Sequence, residues 1–296
     1  MQAWQYSTVQ GTVEDSISVN DVAKPNASSL AKWQLIVQAI TAALNPVDYK
    51  LPEAGFIGRM MIPRPATVGL DFCGRVVAKR PSSSAFEDEK FCAAAITAYQ
   101  SLMPDTWKSR VKIFTNGGSG GTGTWAIQFA RAMGAEVTVT CSTANLELCR
   151  KLGADEVIDY KTMELISSLK QKTHDFDLVI DNVGMDDELY NIREVLLKPT
   201  GTFVQVGIPA AVSLLQTVSI VKKIIWPSIC GGRKYYFVNI NNSAKFFTQI
   251  GRWMAEGKTK AVIDTAYRWE DVPLAFRKLR DGHVSGKLVV HVMNRD

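Results

Sequence analysis

Three glycines, Gly118, Gly120 and Gly123, stand in the spacing G-x-G-x-x-G within VKIFTNGGSGGTGTWAIQFARAM, residues 111–133. That spacing suits a grip on a pyrophosphate. The first glycine allows a tight turn, the second lets the backbone approach the phosphates, and the third lets a helix pack closely on a strand. Ser119, Gly121 and Thr122 complete the loop, and amides at the start of a following helix would meet the anion. A second polar group, Asn45-Pro46-Val47-Asp48-Tyr49-Lys50, reads as a turn that would hold several side chains at the mouth of a cleft.

The glycines need a strand before them and a helix after them. Val111–Thr115 is β-prone, Ala126, Ile127, Ala130 and Met133 recur at helical spacing, and Gly134 stands at a helix C-cap. Glu136–Thr140 then gives a second strand, so the context favours dinucleotide binding over a merely structural glycine turn. An acidic residue at the end of that second strand would bind both ribose hydroxyls. Thr140, Cys141 and Ser142 stand there instead, with Arg150 and Lys151 nearby, so NADPH is expected over NADH. Ser142 has two readings, a contact to a 2′-phosphate and a cap on the next helix, which are compatible.

The alternation continues with strands at Glu156–Tyr160, Phe176–Asp181 and Thr202–Val206 and helices at Met163–Gln171, Met185–Leu197 and Ser243–Glu256. This predicts an α/β fold, a doubly wound parallel Rossmann sheet with its ligand at the carboxyl ends of the strands. Residues 1–44 read as short strands, and the Pro and Gly punctuation of Pro63–Val77 suggests a tight barrel corner. From Ala261 the chain is expected to return to this first, β-rich domain through Val262–Tyr267, a helix at Val272–Asp281 and a strand at Lys287–Val292. The predicted domains are therefore 1–97 with 261–296, and 98–260.

Hydrophobic residues make up 46% and charged residues 21% of the 296, values of a globular protein with enough length for two cores. The net charge of +5 is spread without a block of like charge, which argues against a nucleic-acid partner. The five cysteines form no C-x-x-C pair and have no histidine at metal-ligand spacing, so no zinc cage is expected. Reduced thiols and an N-terminal stretch without a charged and apolar signal predict a cytosolic protein. The apolar run Val212–Ile229, interrupted by Lys222, Lys223 and Pro227, is too broken to span a membrane.

N-P-V-D-x-K at 45–50, P-x-x-x-G-x-D-F-x-G-x-V at 65–76 and N-G-G-S-G-G-x-G at 116–123 together resemble one family, the zinc-free quinone oxidoreductase and enoyl reductase branch of the medium-chain dehydrogenase/reductase superfamily. D-N-V-G at 181–184, G-T-F-V-Q-V-G at 201–207 and the closing G-K-L-V-V-H-V extend the likeness over nearly the whole chain. The resemblance implies a GroES-like catalytic domain beside the Rossmann domain. It also implies Tyr160 near the adenosine end of the cofactor and Asn182, Val183, Gly207 and Ile208 along its nicotinamide half. Lys50 and Thr97 match positions near nicotinamide and substrate in trans-acting enoyl reductases of fungal polyketide pathways, with Asn45 and Tyr49 as companions. Lys50 also reads as an ordinary exposed lysine, and Tyr49 as a packing residue.

Zinc alcohol dehydrogenases would place metal ligands where this chain has Val47, Asp48 and Leu70. The implied reaction is therefore metal-free hydride transfer to an activated C=C bond or quinone of a small-molecule substrate. The alternatives are a repurposed member catalysing isomerisation, dehydration or cyclisation, and a cofactor-binding protein without turnover. The family commonly pairs through the last strands of the cofactor domain, which makes Phe237–Ile240 the candidate edge of a homodimer. The chain departs from the family between Val77 and Thr97. Either the molecule lacks tens of residues there or the sequence omits them; in the first case the polar stretch Pro81–Lys90 reads as a solvated link that leaves the catalytic domain truncated and its substrate side open.

Overall fold

A computed structural model describes residues 1–31, 34–79, 93–107, 110–184, 187–207, 223, 232–241 and 243–293. The expectations for Pro81–Lys90, for Ile208 and, Lys223 apart, for Val212–Ile229 lie outside these residues. The strands are β1 (Gln2–Tyr6), β2 (Ser18–Asp21), β3 (Leu35–Ala43), β4 (Ala66–Thr67), β5 (Asp71–Lys79), β6 (Lys112–Asn116), β7 (Glu136–Cys141), β8 (Glu156–Asp159), β9 (Phe176–Asp181), β10 (Leu197–Gln205), β11 (Lys234–Phe237), β12 (Ile263–Arg268) and β13 (Lys287–His291). They divide between two compact units, Met1–Ala93 with Ile263–Asp296, and Ala94–Val262.

The first unit holds two sheets, in the orders β2-β1-β4 and β12-β13-β3-β5. Val13, Leu44, Val272, Ala275, Phe276, Leu288 and Val290 form its core, so the chain's last segment completes a core begun by its first. The β3–β5 pairing shifts register between Ile36 and Val37 and again between Ala39 and Thr41, as a sharply bent sheet requires. Gly74 serves the same bend: a Cβ there would lie 2.3 Å from the Gln38 carbonyl oxygen.

The second unit is a six-stranded sheet in the order β11-β10-β9-β6-β7-β8, with every pair parallel. Numbered within the unit, this is the Rossmann order, and it reverses between β6 and β9. Phe114, Phe176, Val179, Leu196 and Phe203 are buried in its core. The helix Gly121–Ala132 is buried from Gly123 to Ala130 and meets solvent only at its ends. The reason lies in the neighbouring aromatics, since Phe129 contacts Trp125, Tyr99 and Trp253 with ring centroids 5.3–6.0 Å apart.

Three predicted elements differ. The single helix expected over Met185–Leu197 is two short ones, Glu188–Asn191 and Arg193–Leu196, meeting at Ile192. The strand expected at Thr202 begins at Leu197 and shifts register before Thr202. The edge strand expected at Phe237–Ile240 is Lys234–Phe237, so it ends where the prediction began. Among the described residues, no helix is long and apolar enough to cross a membrane.

Candidate functional site

The glycine loop joins β6 to the helix Gly121–Ala132, and its glycines divide the labour differently from the motif's usual reading. Gly117 makes the tight turn, with φ of +77°. At Gly118 a Cβ would lie 2.8 Å from Cβ of Val139, so its role is close packing on β7. At Gly123 a Cβ would lie 2.1 Å from the Gly117 carbonyl oxygen, so the helix sits directly on the turn. Gly120, the N-cap residue, is open: a Cβ would meet only that same oxygen at 3.7 Å. Gly121, Thr122 and Gly123 supply the first-turn amides, which have no carbonyl within the helix. The loop is thus closed at Gly118 and Gly123 and open at Gly120, the geometry of a phosphate cradle.

Side chains fix this loop to the ends of three strands. Gly117 N donates to Thr140 Oγ1 at 2.8 Å, Thr140 Oγ1 donates to Asn116 Oδ1 at 2.7 Å, and Asn116 Nδ2 donates to Asp181 Oδ1 at 2.9 Å. The same Asp181 oxygen accepts from the amides of Val183 and Gly184, and Gln205 Nε2 reaches the other oxygen at 3.3 Å. These bonds set the loop after β9, with Asn182 and Val183, beside the residues after β10. Gly184, at φ of +60°, and Gly207 touch through their backbones, where a Cβ on Gly207 would lie 2.4 Å from the Val183 carbonyl carbon. Asn182 donates through Nδ2 to the Asn116 carbonyl, while its buried Oδ1 has no hydrogen-bond partner among the described residues.

Past β7, Asn145 Nδ2 lies 3.2 Å from Ser119 Oγ and 3.3 Å from Ser142 Oγ, tying the glycine loop to the segment that follows β7. Ser142 precedes a short 3-10 turn but makes no side-chain cap bond, so the capping role expected for it is not formed. Asp159, at the end of β8, accepts from Thr143 Oγ1 at 2.6 Å and from the Lys161 amide at 2.9 Å. Tyr160 is exposed, with Lys161 Nζ 5.5 Å from its ring centre.

In the first unit, Asn45–Lys50 forms one tight helical turn. Asn45 N donates to Asp48 Oδ2 at 2.7 Å, and Asp48 N returns a bond to the Asn45 carbonyl at 2.9 Å. Asp48 is buried, and burial pushes its carboxyl up to about 7. The Asn45 amide and the Lys287 charge oppose this rise, and the Asp71 charge adds to it. Lys287, also buried, donates to Leu44 O at 2.8 Å and Asn45 Oδ1 at 2.6 Å and pairs with Asp71 Oδ2 at 3.4 Å. Behind the turn, Arg280 is forked between Glu14 and Glu53 and lies 4.5 Å over the Tyr49 ring. Tyr49 therefore packs, and its phenol is pushed up by burial. Burial pulls the Lys50 ammonium below the usual lysine range.

Of the residues expected at the site, Asn45, Tyr49 and Lys50 share this turn. Thr97, buried on the helix Ala93–Ser101, belongs to the second unit with the glycine loop, Ser142, Tyr160, Asn182, Val183 and Gly207. Asn116, Asn145 and Lys287 are given no role by the sequence, which marks Thr140 only as the acid-free end of a strand and Asp181 only as the start of D-N-V-G. Their position at the ends of β-prone runs was the available signal for Asn116, Thr140 and Asp181.

A sequence model of the family described as "Zinc-binding dehydrogenase" matches residues 152–290. The trans-enoyl reductase pgmF of Aspergillus terreus is 38% identical over 347 residues, covering 99% of this chain and 96% of that protein. The chain belongs to the medium-chain dehydrogenase/reductase superfamily. It is an oxidoreductase of the quinone oxidoreductase and enoyl reductase branch. The quinone oxidoreductase of Coxiella burnetii shares its fold, with a TM-score of 0.78 at 23% identity over 99% of both chains. So does the Escherichia coli quinone oxidoreductase solved with NADPH, with a TM-score of 0.74 at 16% identity over 98% of this chain and 100% of that one. The architecture is thus a Rossmann sheet with a GroES-like, strand-rich unit. The alignment with pgmF spans 347 positions against 296 residues here, so at least 51 of them have no counterpart in this reductase.

Zinc does not fit. Among the described residues no group of three His, Cys, Asp or Glu side chains could hold a metal. The oxygens of Leu44, Asn45 and Asp71 are already engaged by the Lys287 ammonium, whose charge would repel a cation.

The glycine assignments predict unequal costs. Gly123→Ala should destabilise the second unit by about 3 kcal/mol, because its new methyl meets backbone that cannot yield. Gly120→Ala should cost about 1 kcal/mol or less. Chemical denaturation of both variants checks this, and equal losses would contradict the assignment.

A second prediction concerns pH. Because the folded-state pKa of Asp48 is raised, its contribution to stability is full below the unfolded value of about 4 and is lost as pH rises through about 7. Asp48→Asn should remove that loss. Unfolding curves from pH 4 to 8 should therefore converge at the acid end and separate at the alkaline end, with the variant the more stable. Parallel curves would contradict the burial argument.

Proposed function

We propose that this oxidoreductase uses NADPH to reduce an activated C=C bond or a quinone without a metal. The observation that carries the reading is the glycine loop, closed at Gly118 by Val139 of β7 and at Gly123 by its own backbone, and open at Gly120. The names of its relatives support it: pgmF is a trans-enoyl reductase, and a protein of the same fold is a quinone oxidoreductase complexed with NADPH.

Bound NADPH supplies the hydride, and the protein supplies orientation, electrostatics and a proton. The amides of residues 119–123 hold the pyrophosphate. Asn182, Val183 and Gly207 line the nicotinamide half, and Asn182 Oδ1 is an acceptor left for the cofactor. Ser142 and Lys161 receive the 2′-phosphate, since the carboxylate at the end of β8, Asp159, is already engaged by Thr143 and by the Lys161 amide. Lys50 acts as the cationic donor to the substrate carbonyl, where negative charge gathers after hydride attack, with Asn45 and Thr97 shaping the approach. The double bond gains hydride at one carbon and a proton at the other. Among the described strands β11 stands at the edge of its sheet, and on it we place a homodimer, while a cytosolic setting accords with the free thiols of Cys73, Cys141 and Cys149.

Titration with NADPH and NADH, followed by cofactor fluorescence, should show binding with NADPH the tighter. Oxidation of NADPH should be stoichiometric with loss of an enone or quinone. Lys50→Met should lower kcat roughly 100-fold while leaving NADPH affinity within two-fold. No binding of either cofactor, or unchanged substrate conversion without one, would overturn the reductase reading. An undiminished kcat in Lys50→Met would remove Lys50 from the reaction.

A further inference from the structure

Lysine is almost never fully buried unless it is paired, because its ammonium must be stripped of water. Lys287 is 5% exposed and stands at the start of β13, the last strand of the chain. An ammonium has three donors and no acceptor, and here each meets a buried oxygen: Leu44 O, Asn45 Oδ1 and Asp71 Oδ2. Two of these belong to the residue before the N-P-V-D-Y-K turn and to its first residue. The third follows Gly69-Leu70 at the start of β5.

The bond to Asn45 Oδ1 decides which way that amide faces, since only its oxygen can accept from a lysine. The Asn45 backbone is held at the same time, its N–H by Asp48 and its carbonyl by the Asp48 amide. Next to Lys287, Leu288 O accepts from Leu44 N at 3.0 Å, so adjacent residues of β13 hold both the backbone and the side chains at the entry to the turn. The charged groups facing this ammonium are Asp71 and Asp48, and Tyr6 in turn faces Asp48. An apolar residue at 287 would fill the space, but it would take this donor from Leu44 O and Asn45 Oδ1, remove the positive charge beside Asp71, and leave the Asn45 amide free to turn over.

We propose that Lys287 is the positioning residue of the Asn45–Lys50 turn, its ammonium fixing the Asn45 amide and the direction in which the turn presents Lys50. The role rests on the reductase reading given above. It assigns work to a lysine 237 positions beyond Lys50 in sequence, delivered by the returning C-terminal segment.

The test compares Lys287→Met and Lys287→Arg with the parent. Both variants should bind NADPH like the parent, because the glycine loop is built by the other unit. Lys287→Met should lower kcat about 100-fold with an unchanged KM for NADPH, as expected when reacting groups are misplaced. Lys287→Arg should recover much of that loss. In Lys287→Met the side-chain amide signals of Asn45 should move in the NMR spectrum, and Asp48 should titrate at a higher pH than in the parent. Retention of kcat within two-fold, or unmoved Asn45 amide signals, would overturn the proposal.

Should Lys287→Met fail to fold, the parent decides the matter. Its Lys287 ammonium should give a slowly exchanging NH₃⁺ signal with a nuclear Overhauser contact to the Asn45 amide, and the absence of that signal would overturn the proposal. If the parent proves to have no NADPH-linked reductase activity, the functional reading fails on its own. The Asn45, Asp48 and ammonium measurements still decide whether Lys287 positions the turn.

Discussion

A chain of side-chain hydrogen bonds across the ends of three neighbouring strands holds the cofactor half of this reductase together. It runs from Asp181 on β9 through Asn116 on β6 to Thr140 on β7 and ends on the Gly117 amide. Backbone groups lose their ladder partners where parallel strands end, and a buried group without a partner costs about 1–3 kcal/mol. Side chains take over that role here. Asn116 donates at one end and accepts at the other, so its amide has only one orientation that satisfies both neighbours. Thr140 is 1% exposed and Asp181 3%, and no water is needed to complete the chain. The glycine turn and the loop carrying Asn182 and Val183 are therefore placed by one network, at the point where the strand order reverses.

The GroES-like unit solves a different problem, because its core and its turn are assembled from both ends of the chain. Cations from the returning segment join the pieces. Their worth depends on burial. Arg277 and Asp15 pair with more than half of each side chain exposed, and such pairs contribute about 0–1 kcal/mol. Arg280 instead meets Glu14, whose side chain is 4% exposed, and Glu53, and it covers Tyr49 as well. Removing one partner of a pair that buried is expected to cost several times more. Charge at the back of the turn and charge at its entry thus hold a short loop of polar residues in one shape.

The alternation of strands and helices was legible because each element carries its own period, and the strand, glycine turn and helix at 112–132 were legible because glycine spacing is a local signal. The helix expected at Met185–Leu197 was misread for the same reason. Its composition favours a single helix, yet it breaks at Ile192 and leads directly into β10 at Leu197. The glycine roles were partly misassigned, since Gly117, which makes the turn, lies one residue before the motif. What could not be read were bonds between residues far apart in sequence. Asn116 and Asp181 are 65 positions apart, Asn45 and Lys287 242, and neither spacing carries a periodicity. Tyr49 looked like a site residue because of its company, and its place beneath Arg280 follows from a helix more than two hundred residues away.

The most direct test of this account is the cofactor affinity of Thr140→Val, a near-isosteric change that removes one hydroxyl from the middle of the chain. Gly117 N and Asn116 Oδ1 would both lose their partner while the buried volume stays almost constant. A loss of about 1–2 kcal/mol in the placement of the phosphate loop corresponds to roughly ten-fold weaker NADPH binding. Fluorescence titration should show that loss, with the far-ultraviolet circular dichroism of the sheet unchanged. NADPH affinity equal to the parent's in a folded variant would contradict the claim that this hydrogen-bonded chain positions the site.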